Sequence, residues 1–268
     1  MKFSKYQCCG NDFIIVEKHI NDVNTIRKLC DRHRGIGADG LIFIENQLDG
    51  SFKIFFYNSD GSTDTFCGNG SLCSVDYAVK NLNIRKDFFT ASDGKHYFKK
   101  KNDGLYEISL HDMAAPTTIE LSDADKKMVA EQNLQKGYFC NTGSPHFVLF
   151  VDDVKKIYTS VLGKYFRHNI NTENGGCNVD FVSITKPGVL KIRTFERGVE
   201  IKTWGCGTGS VAAAITYAQI VEKNTNQVIL HNIGGKHIVS FNRYNEMYSY
   251  IRLQGTPKCV FKGEIDIL

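Results

Sequence analysis

Cys67-Gly68-Asn69-Gly70-Ser71 and Cys206-Gly207-Thr208-Gly209-Ser210 say nearly the same thing twice in one chain. Each stands at the head of a stretch that reads as a helix, predicted over Leu72 to Leu82 and Val211 to Val221. Unfilled N–H groups and the helix dipole favour negative charge at such a head, so a thiol there ionises more readily than elsewhere. Two such thiols in one chain point to a matched pair.

The surroundings of the two segments also repeat. Gly143-Ser144-Pro145-His146 leads into an apolar strand running to Val151, as Gly10-Asn11-Asp12 leads into Phe13 to Val16. A helical pattern over Val154 to Arg167, a turn at Gly175-Gly176 and a strand from Val179 to Ile184 echo the helix Asn24 to Arg34, the turn Gly35 to Gly40 and the strand Leu41 to Glu45. Gly143 lies 133 residues after Gly10, and Cys206 lies 139 after Cys67. Such close offsets predict two homologous halves, each with about eight strands around one cysteine-headed helix. A polar stretch from Ala114 to Gln135, carrying Pro116 and many charges, reads as a linker with a peripheral segment, and Asp103-Gly104 marks a hairpin turn.

Composition narrows the function classes. A chain of 268 residues with 42% hydrophobic content can bury two cores. A formal charge of +4 with scattered lysines does not point to nucleic acid. No apolar leader or run of spanning length is present, so a cytoplasmic protein without a membrane partner is expected. Nine cysteines are an odd number in a chain too long to need staples; reduced thiols are expected, and with neither CxxC nor HxxH spacing no metal site is. Gly35-Ile36-Gly37-Ala38-Asp39-Gly40 matches the dinucleotide fingerprint, but it follows a helical pattern and precedes a strand, the reverse of what phosphate binding needs.

Two helix-head thiols can perform one particular chemistry. A carboxylate held on both sets of helix N–H groups would place its α-carbon between two sulfurs. One thiolate removes the α-proton while the opposite thiol protonates the other face, and the N–H groups stabilise the enediolate-like charge. Lowering a thiol from about 8.5 to about 7 takes about 2 kcal/mol, more than a helix terminus typically supplies, and His146 and Glu196 are candidates for the rest.

With these motifs in view, the chain resembles the diaminopimelate epimerase family along essentially its whole length. The resemblance rests on Gly10-Asn11-Asp12-Phe13, Gly35 to Gly40, Tyr57-Asn58-Ser59-Asp60-Gly61-Ser62, Cys67-Gly68-Asn69-Gly70, Gly143-Ser144-Pro145-His146, Glu196-Arg197-Gly198 and Cys206-Gly207-Thr208-Gly209. It implies an α+β fold of two pseudo-symmetric domains, each a mostly antiparallel β-barrel around a central helix. The expected halves are 1–115, carrying Cys67 and joined by a returning strand 257–268, and 116–256, carrying Cys206. It implies a homodimer that interconverts LL- and meso-2,6-diaminopimelate without cofactor or metal. By resemblance, Cys67 and Cys206 are the acid–base pair, and His146 and Glu196 tune the thiols. The zwitterionic substrate is held by Asn11, Asn58, Gly68, Asn69, Ser144, Asn178, Glu196, Arg197, Gly207 and Thr208.

Three departures bear on substrate. Leu72 stands where the family commonly has arginine, Ser144 replaces an asparagine, and Lys202 takes the place of a glutamate. None removes the thiol pair. A family relative acting on histidine or lanthionine is the alternative enzyme, and a non-catalytic amino-acid-binding protein the alternative class. A binder has no use for two opposed thiols, which would be an oxidation liability.

Overall fold

The computed structural model describes residues 1–20, 22–63, 66–102, 104–132, 134–170 and 175–266. The chain divides into two compact units, Met1–Ser109 with Gln254–Leu268, and Leu110–Leu253. Its class is α+β, mixed sheet with few helices. Asp103 of the expected turn and the last two residues of the expected strand 257–268 lie outside the described residues.

The first unit runs β1 (Lys2–Cys8), β2 (Asn11–Val16), α1 (Val23–Cys30), β3 (Gly40–Asn46), β4 (Phe52–Asn58), α2 (Gly68–Asn81), β5 (Phe88–Ala91), β6 (Gly94–Lys100) and β7 (Tyr106–Ser109). Pairing is antiparallel from β1 to β2, parallel to β3, antiparallel to β4, parallel to β5 and antiparallel through β6 and β7. Strands β2 and β3 are apolar almost throughout because both faces are covered. Ile14, Val16, Leu41 and Phe43 pack with Ile26 and Leu29 of α1. The alternate residues, among them Phe13 and Ile42, point the other way, toward α2.

Helix α1 starts where the Asp22 carboxylate accepts from the Thr25 N–H at 2.8 Å. It stops at Cys30, short of the expected Arg34, because Asp31 Oδ1 accepts from the N–H groups of both His33 and Arg34 and bends the chain into a turn.

The second unit contains β8 (Met113–Ala114), β9 (Thr117–Glu120), α3 (Asp123–Met128), β10 (Lys136–Asn141), β11 (Pro145–Phe150), α4 (Thr159–Asn169), β12 (Asn178–Lys186), β13 (Val189–Glu196), β14 (Ile201–Lys202), α5 (Gly207–Ile220), β15 (Gln227–His231), β16 (Lys236–Tyr244) and β17 (Met247–Gly255). Strands β9, β10 and β11 are antiparallel, β11 and β12 parallel, β12 and β13 antiparallel, β13 and β15 parallel, β15 and β16 antiparallel. A last strand, β18 (Lys258–Glu264), pairs antiparallel with β1. The succession β18, β1, β2, β3, β4, β5, β6 therefore repeats as β9, β10, β11, β12, β13, β15, β16, with a helix after the third strand and a cysteine-headed helix after the fifth.

The stretch expected as a linker is structured. β9 pairs with β10, and Ser122 and Asp125 close a capping box on α3. Residues 110–115 run with the second unit, because Leu110 N–H donates to Ile251 O at 2.9 Å and β8 pairs with Met247 and Tyr248. The division thus falls before Leu110, where the sequence reading places it after Ala115. The expected helix 154–167 is a 3₁₀ turn, Val154–Lys156, followed by α4 after extended backbone at Ile157.

Helices α2 and α5 are the centres of their units. α2 packs on β1, β2, β3, β4, β7 and β18, and α5 on β10, β11, β12, β13, β15 and β16. Every residue from Gly68 to Ala78 and from Gly207 to Ala218 is buried. Two of their hydroxyls are satisfied within the helix, Ser74 donating to Gly70 O at 2.8 Å and Thr216 to Ala212 O at 2.7 Å. No helix among the described residues is long and apolar enough to cross a membrane.

Candidate active site

Both cysteine-headed helices begin four residues earlier than their apolar pattern predicts. The first intrahelical bonds are Ser71 N–H to Cys67 O at 2.8 Å and Ser210 N–H to Cys206 O at 3.0 Å. Each cysteine is therefore the N-cap. Its sulfur accepts from the N–H three residues on, Gly70 to Cys67 and Gly209 to Cys206, both at 3.4 Å. The side chain does what serine or aspartate usually does at this position, which is why the pattern of apolar residues alone misses the first turn. The N–H groups of Gly68, Asn69, Gly207 and Thr208 precede those first bonds and have no carbonyl within the helix to accept them.

Around Cys67, the thiol lies 3.9 Å from Asn11 Oδ1, which also accepts from Asn69 Nδ2 at 3.4 Å. Asn11 is gripped from behind, its Nδ2 donating to Asp39 Oδ2 at 2.7 Å. Asp39 belongs to a cluster in which Arg32 donates to both Asp12 and Asp39 and Lys5 pairs with Asp12, each at 2.7 Å. Asp12 is partly buried, which would raise its pKa, but the hydrogen bonds from Arg32 and Lys5 outweigh this and hold it at about 2. Asp39 is raised, first by burial and then by the charge of Asp12. The Gly35 to Gly40 segment that mimics a nucleotide motif thus closes onto Asn11. Asn58 stands apart at the end of β4, donating to Ser62 Oγ at 2.9 Å.

Around Cys206 the network is denser. Its sulfur lies 3.3 Å from Thr208 Oγ1 and 3.9 Å from Glu196 Oε1. Thr208 Oγ1 is 3.0 Å from His146 Nε2, and His146 Nδ1 is 2.6 Å from Asp180 Oδ2. The other oxygen of Asp180 accepts from the Thr194 hydroxyl at 2.6 Å. Asn178 donates to Ser144 Oγ at 2.8 Å and Pro145 O at 3.1 Å, and its Oδ1 accepts from the Arg197 N–H at 2.8 Å. Burial pushes the Cys206 thiol well up, and the charges of Glu196 and Asp180 push the same way. The hydrogen bonds from Thr208 and Gly209 pull it down by less. The helix head favours the thiolate, as expected, yet in this setting it is outweighed.

The candidates named from the sequence thus fall into two groups, Cys67, Asn11 and Asn69 in one unit, and Cys206, Thr208, Glu196, His146, Asn178, Ser144 and Arg197 in the other. Asp180 was not among them. The signal was there: a carboxylate in the middle of the apolar run Val179-Asp180-Phe181-Val182, fully buried in the structure. Gly209 exists because of it, since a Cβ there would lie 2.6 Å from Asp180 Oδ1. Of the three departures, Leu72 is fully buried in the core, Lys202 is exposed on β14, and Ser144 accepts from Asn178.

The fold is shared with solved structures of low sequence identity. The PhzF-family phenazine biosynthesis protein of Bacillus anthracis superposes with a TM-score of 0.77 at 16% identity, covering 100% of this chain and 99% of its own. A hydroxyproline epimerase from Agrobacterium vitis gives 0.69 at 11%, covering 99% and 90%. Sequence narrows the class. The model of the family described as Diaminopimelate epimerase matches residues 3–118 and 138–258. The diaminopimelate epimerase of Flavobacterium psychrophilum is 39% identical over 99% of this chain and 100% of its own length, and that of Chlorobaculum tepidum 34% over 96% and 98%. The chain belongs to the diaminopimelate epimerase family, and it is an isomerase.

Proposed function

We propose that the protein interconverts LL- and meso-2,6-diaminopimelate by a cofactor-independent two-base mechanism, with Cys67 and Cys206 as the bases. The observation that carries this reading is that each thiol caps a buried helix whose Gly-x-Gly head has N–H groups with no carbonyl acceptor within the helix, once in each half. Inversion needs equivalent groups on the two faces of one carbon, and a duplicated helix head supplies them. The substrate carboxylate at the reacting centre sits on the N–H groups of Gly68, Asn69, Gly207 and Thr208, where charge develops as the α-proton leaves. Asn11, Asn58, Ser144, Asn178, Glu196 and Arg197 bind the amines and the distal carboxylate, which suits the planar fork of arginine. His146 and Glu196 set the protonation of the thiols.

The finer architecture of this reading is a pair of pseudo-symmetric barrels, each closed around its central helix, in a homodimer. Nine unbridged cysteines favour a reducing compartment, and we place the enzyme in the cytoplasm, at the step that feeds lysine and peptidoglycan synthesis.

The test is hydrogen exchange in deuterated water. Reduced protein is offered LL-diaminopimelate, lanthionine and L-histidine separately, and α-deuteration is followed by NMR. Exchange of diaminopimelate is expected. Exchange of none of the three overturns the epimerase reading, and exchange of histidine alone overturns the distal-site assignment.

A further inference from the structure

The assignment of His146 as a tuner leaves open how it reaches a thiol it does not touch. The chain of contacts is Cys206 Sγ to Thr208 Oγ1 at 3.3 Å, Thr208 Oγ1 to His146 Nε2 at 3.0 Å, and His146 Nδ1 to Asp180 Oδ2 at 2.6 Å. His146 and Asp180 are fully buried, and Thr208 nearly so.

Hydrogen-bond chemistry fixes the direction of each link. Asp180, with its second oxygen taken by Thr194, accepts from His146 Nδ1–H. Asn178 spends its two amide hydrogens on Ser144 Oγ and Pro145 O, so its nitrogen, 3.3 Å from His146 Nε2, has none left for that atom. With the ring hydrogen on Nδ1, Nε2 of the neutral imidazole is the acceptor. It accepts the Thr208 hydroxyl, whose oxygen is left to receive the Cys206 thiol.

We propose that Thr208, His146 and Asp180 form a proton relay that serves Cys206. The inference rests on the assignment of Cys206 as a catalytic base. As the S–H bond of Cys206 breaks, its proton joins Thr208 Oγ1 while the hydroxyl proton of Thr208 passes to His146 Nε2. One thiolate and one imidazolium result with no change in net charge. Asp180 stabilises the imidazolium through Nδ1–H, and the new positive charge offsets the carboxylates that oppose ionisation of the sulfur. Once Cys206 has given its proton to the substrate, a proton held on His146 returns to the thiolate through Thr208 Oγ1 and restores the thiol.

Other titratable groups also face this site. Glu196 on β13 is 3.9 Å from the sulfur. Cys140 on β10 lies opposite His146 in the ladder, and burial pushes its thiol up. His237 on β16 is bonded to Ser210 Oγ at 2.8 Å, one turn further along α5. β15 presents the buried apolar residues Val228 and Leu230. Glu196 is the rival proton acceptor, and the experiment separates it from His146.

The readout uses the full-length protein without substrate, so it is independent of whether diaminopimelate is turned over. In a Cys67→Ser background, ultraviolet thiolate absorbance is titrated against a double Cys67→Ser/Cys206→Ser reference. Thr208→Val is expected to leave at least about tenfold less Cys206 thiolate at a given pH, Asp180→Asn to act in the same direction, and Thr208→Ser to restore the parent curve. Nitrogen NMR of the His146 ring should show the Nδ1–H tautomer becoming imidazolium as the thiolate appears. Parent-like titration of Thr208→Val, or a His146 ring that stays neutral while Cys206 ionises, overturns the relay. Normal folding of the variants is checked by the unchanged near-ultraviolet dichroism of Thr208→Ser and Thr208→Val. If the relay fails while diaminopimelate still exchanges, the functional reading stands.

Discussion

Behind Cys67, the strand positions that face α2 carry Phe13, Ile42 and Phe56; at the topologically equivalent positions behind Cys206 stand His146, Asp180 and Thr194. The registers make the equivalence concrete. Phe13 pairs with Gly40, and Ile42 two residues on pairs with Phe56; His146 pairs with Asn178, and Asp180 two residues on pairs with Thr194. The first wall is a dry one, with the Phe13 and Phe56 rings 6.0 Å apart edge to face. The second is a hydrogen-bonded network. Even the serines diverge: the Ser210 hydroxyl reaches His237, whereas the buried Ser71 hydroxyl has no hydrogen-bond partner among the described residues. The first unit is not without charge, but its Lys5, Asp12, Arg32 and Asp39 grip Asn11 beside the sulfur instead of lying beneath the helix.

The difference teaches that a duplicated frame can keep two nearly identical helix heads while setting them on unlike walls. Apolar groups cannot hold a proton, and the buried carboxylate and imidazole can. The two cysteines are alike as caps of their helices and unlike in the protein behind them.

The strongest way to break the comparison is to remove each thiol. Cys67→Ala and Cys206→Ala should each lower epimerisation by roughly 10²–10⁴-fold or more, measured as appearance of the meso product. Full activity in either variant removes that cysteine from the mechanism.

A sharper contrast comes from the glycines at the third helix position. Gly209→Ala puts a Cβ 2.6 Å from Asp180 Oδ1, and the carboxylate must move off His146; Gly70→Ala meets Ile42 Cδ1 at 3.2 Å, which a small shift relieves. Gly209→Ala should cost about 1–3 kcal/mol in urea denaturation, the usual range for overpacking, and about tenfold in kcat. Gly70→Ala should cost distinctly less in both. Equal costs would mean that the two walls are equally yielding.

The smallest effect concerns the charges beside Asn11. Because the folded protein holds Asp12 at about 2, below the ordinary carboxylate range, its contribution to stability is complete above pH ~4 and is lost as pH falls toward about 2. Asp12→Asn should therefore lower the unfolding free energy near neutrality by up to about 2 kcal/mol, with the gap from the parent closing on acidification. A constant gap across that range would show that the cluster acts through packing and not through charge.

Much of this was legible in the chain. Leu41 to Glu45 and Val179 to Ile184 announced themselves as strands because apolar runs of that length, bounded by turn residues, have few other ways to bury themselves. The helix starts were not, because the rule that reads them looks for serine, aspartate or asparagine at the cap and here the cap is a thiol. The stretch 114–135 looked like a linker by composition, yet Ser122 and Asp125 cap a helix in it and its strand finds a partner in β10. The Gly35 to Gly40 segment is legible as a motif but not in its use, which shows only in the bond from Asn11 to Asp39.

By itself, then, the sequence determined the duplicated order of elements, the two cysteine heads and the family, since these are local patterns and motif spacings that survive without knowing what touches what. The tertiary structure alone decided which residues stand behind each sulfur. Phe13 and His146 occupy the same place in their strands, and only the register with the neighbouring strands shows that one is backed by rings and the other by a buried carboxylate.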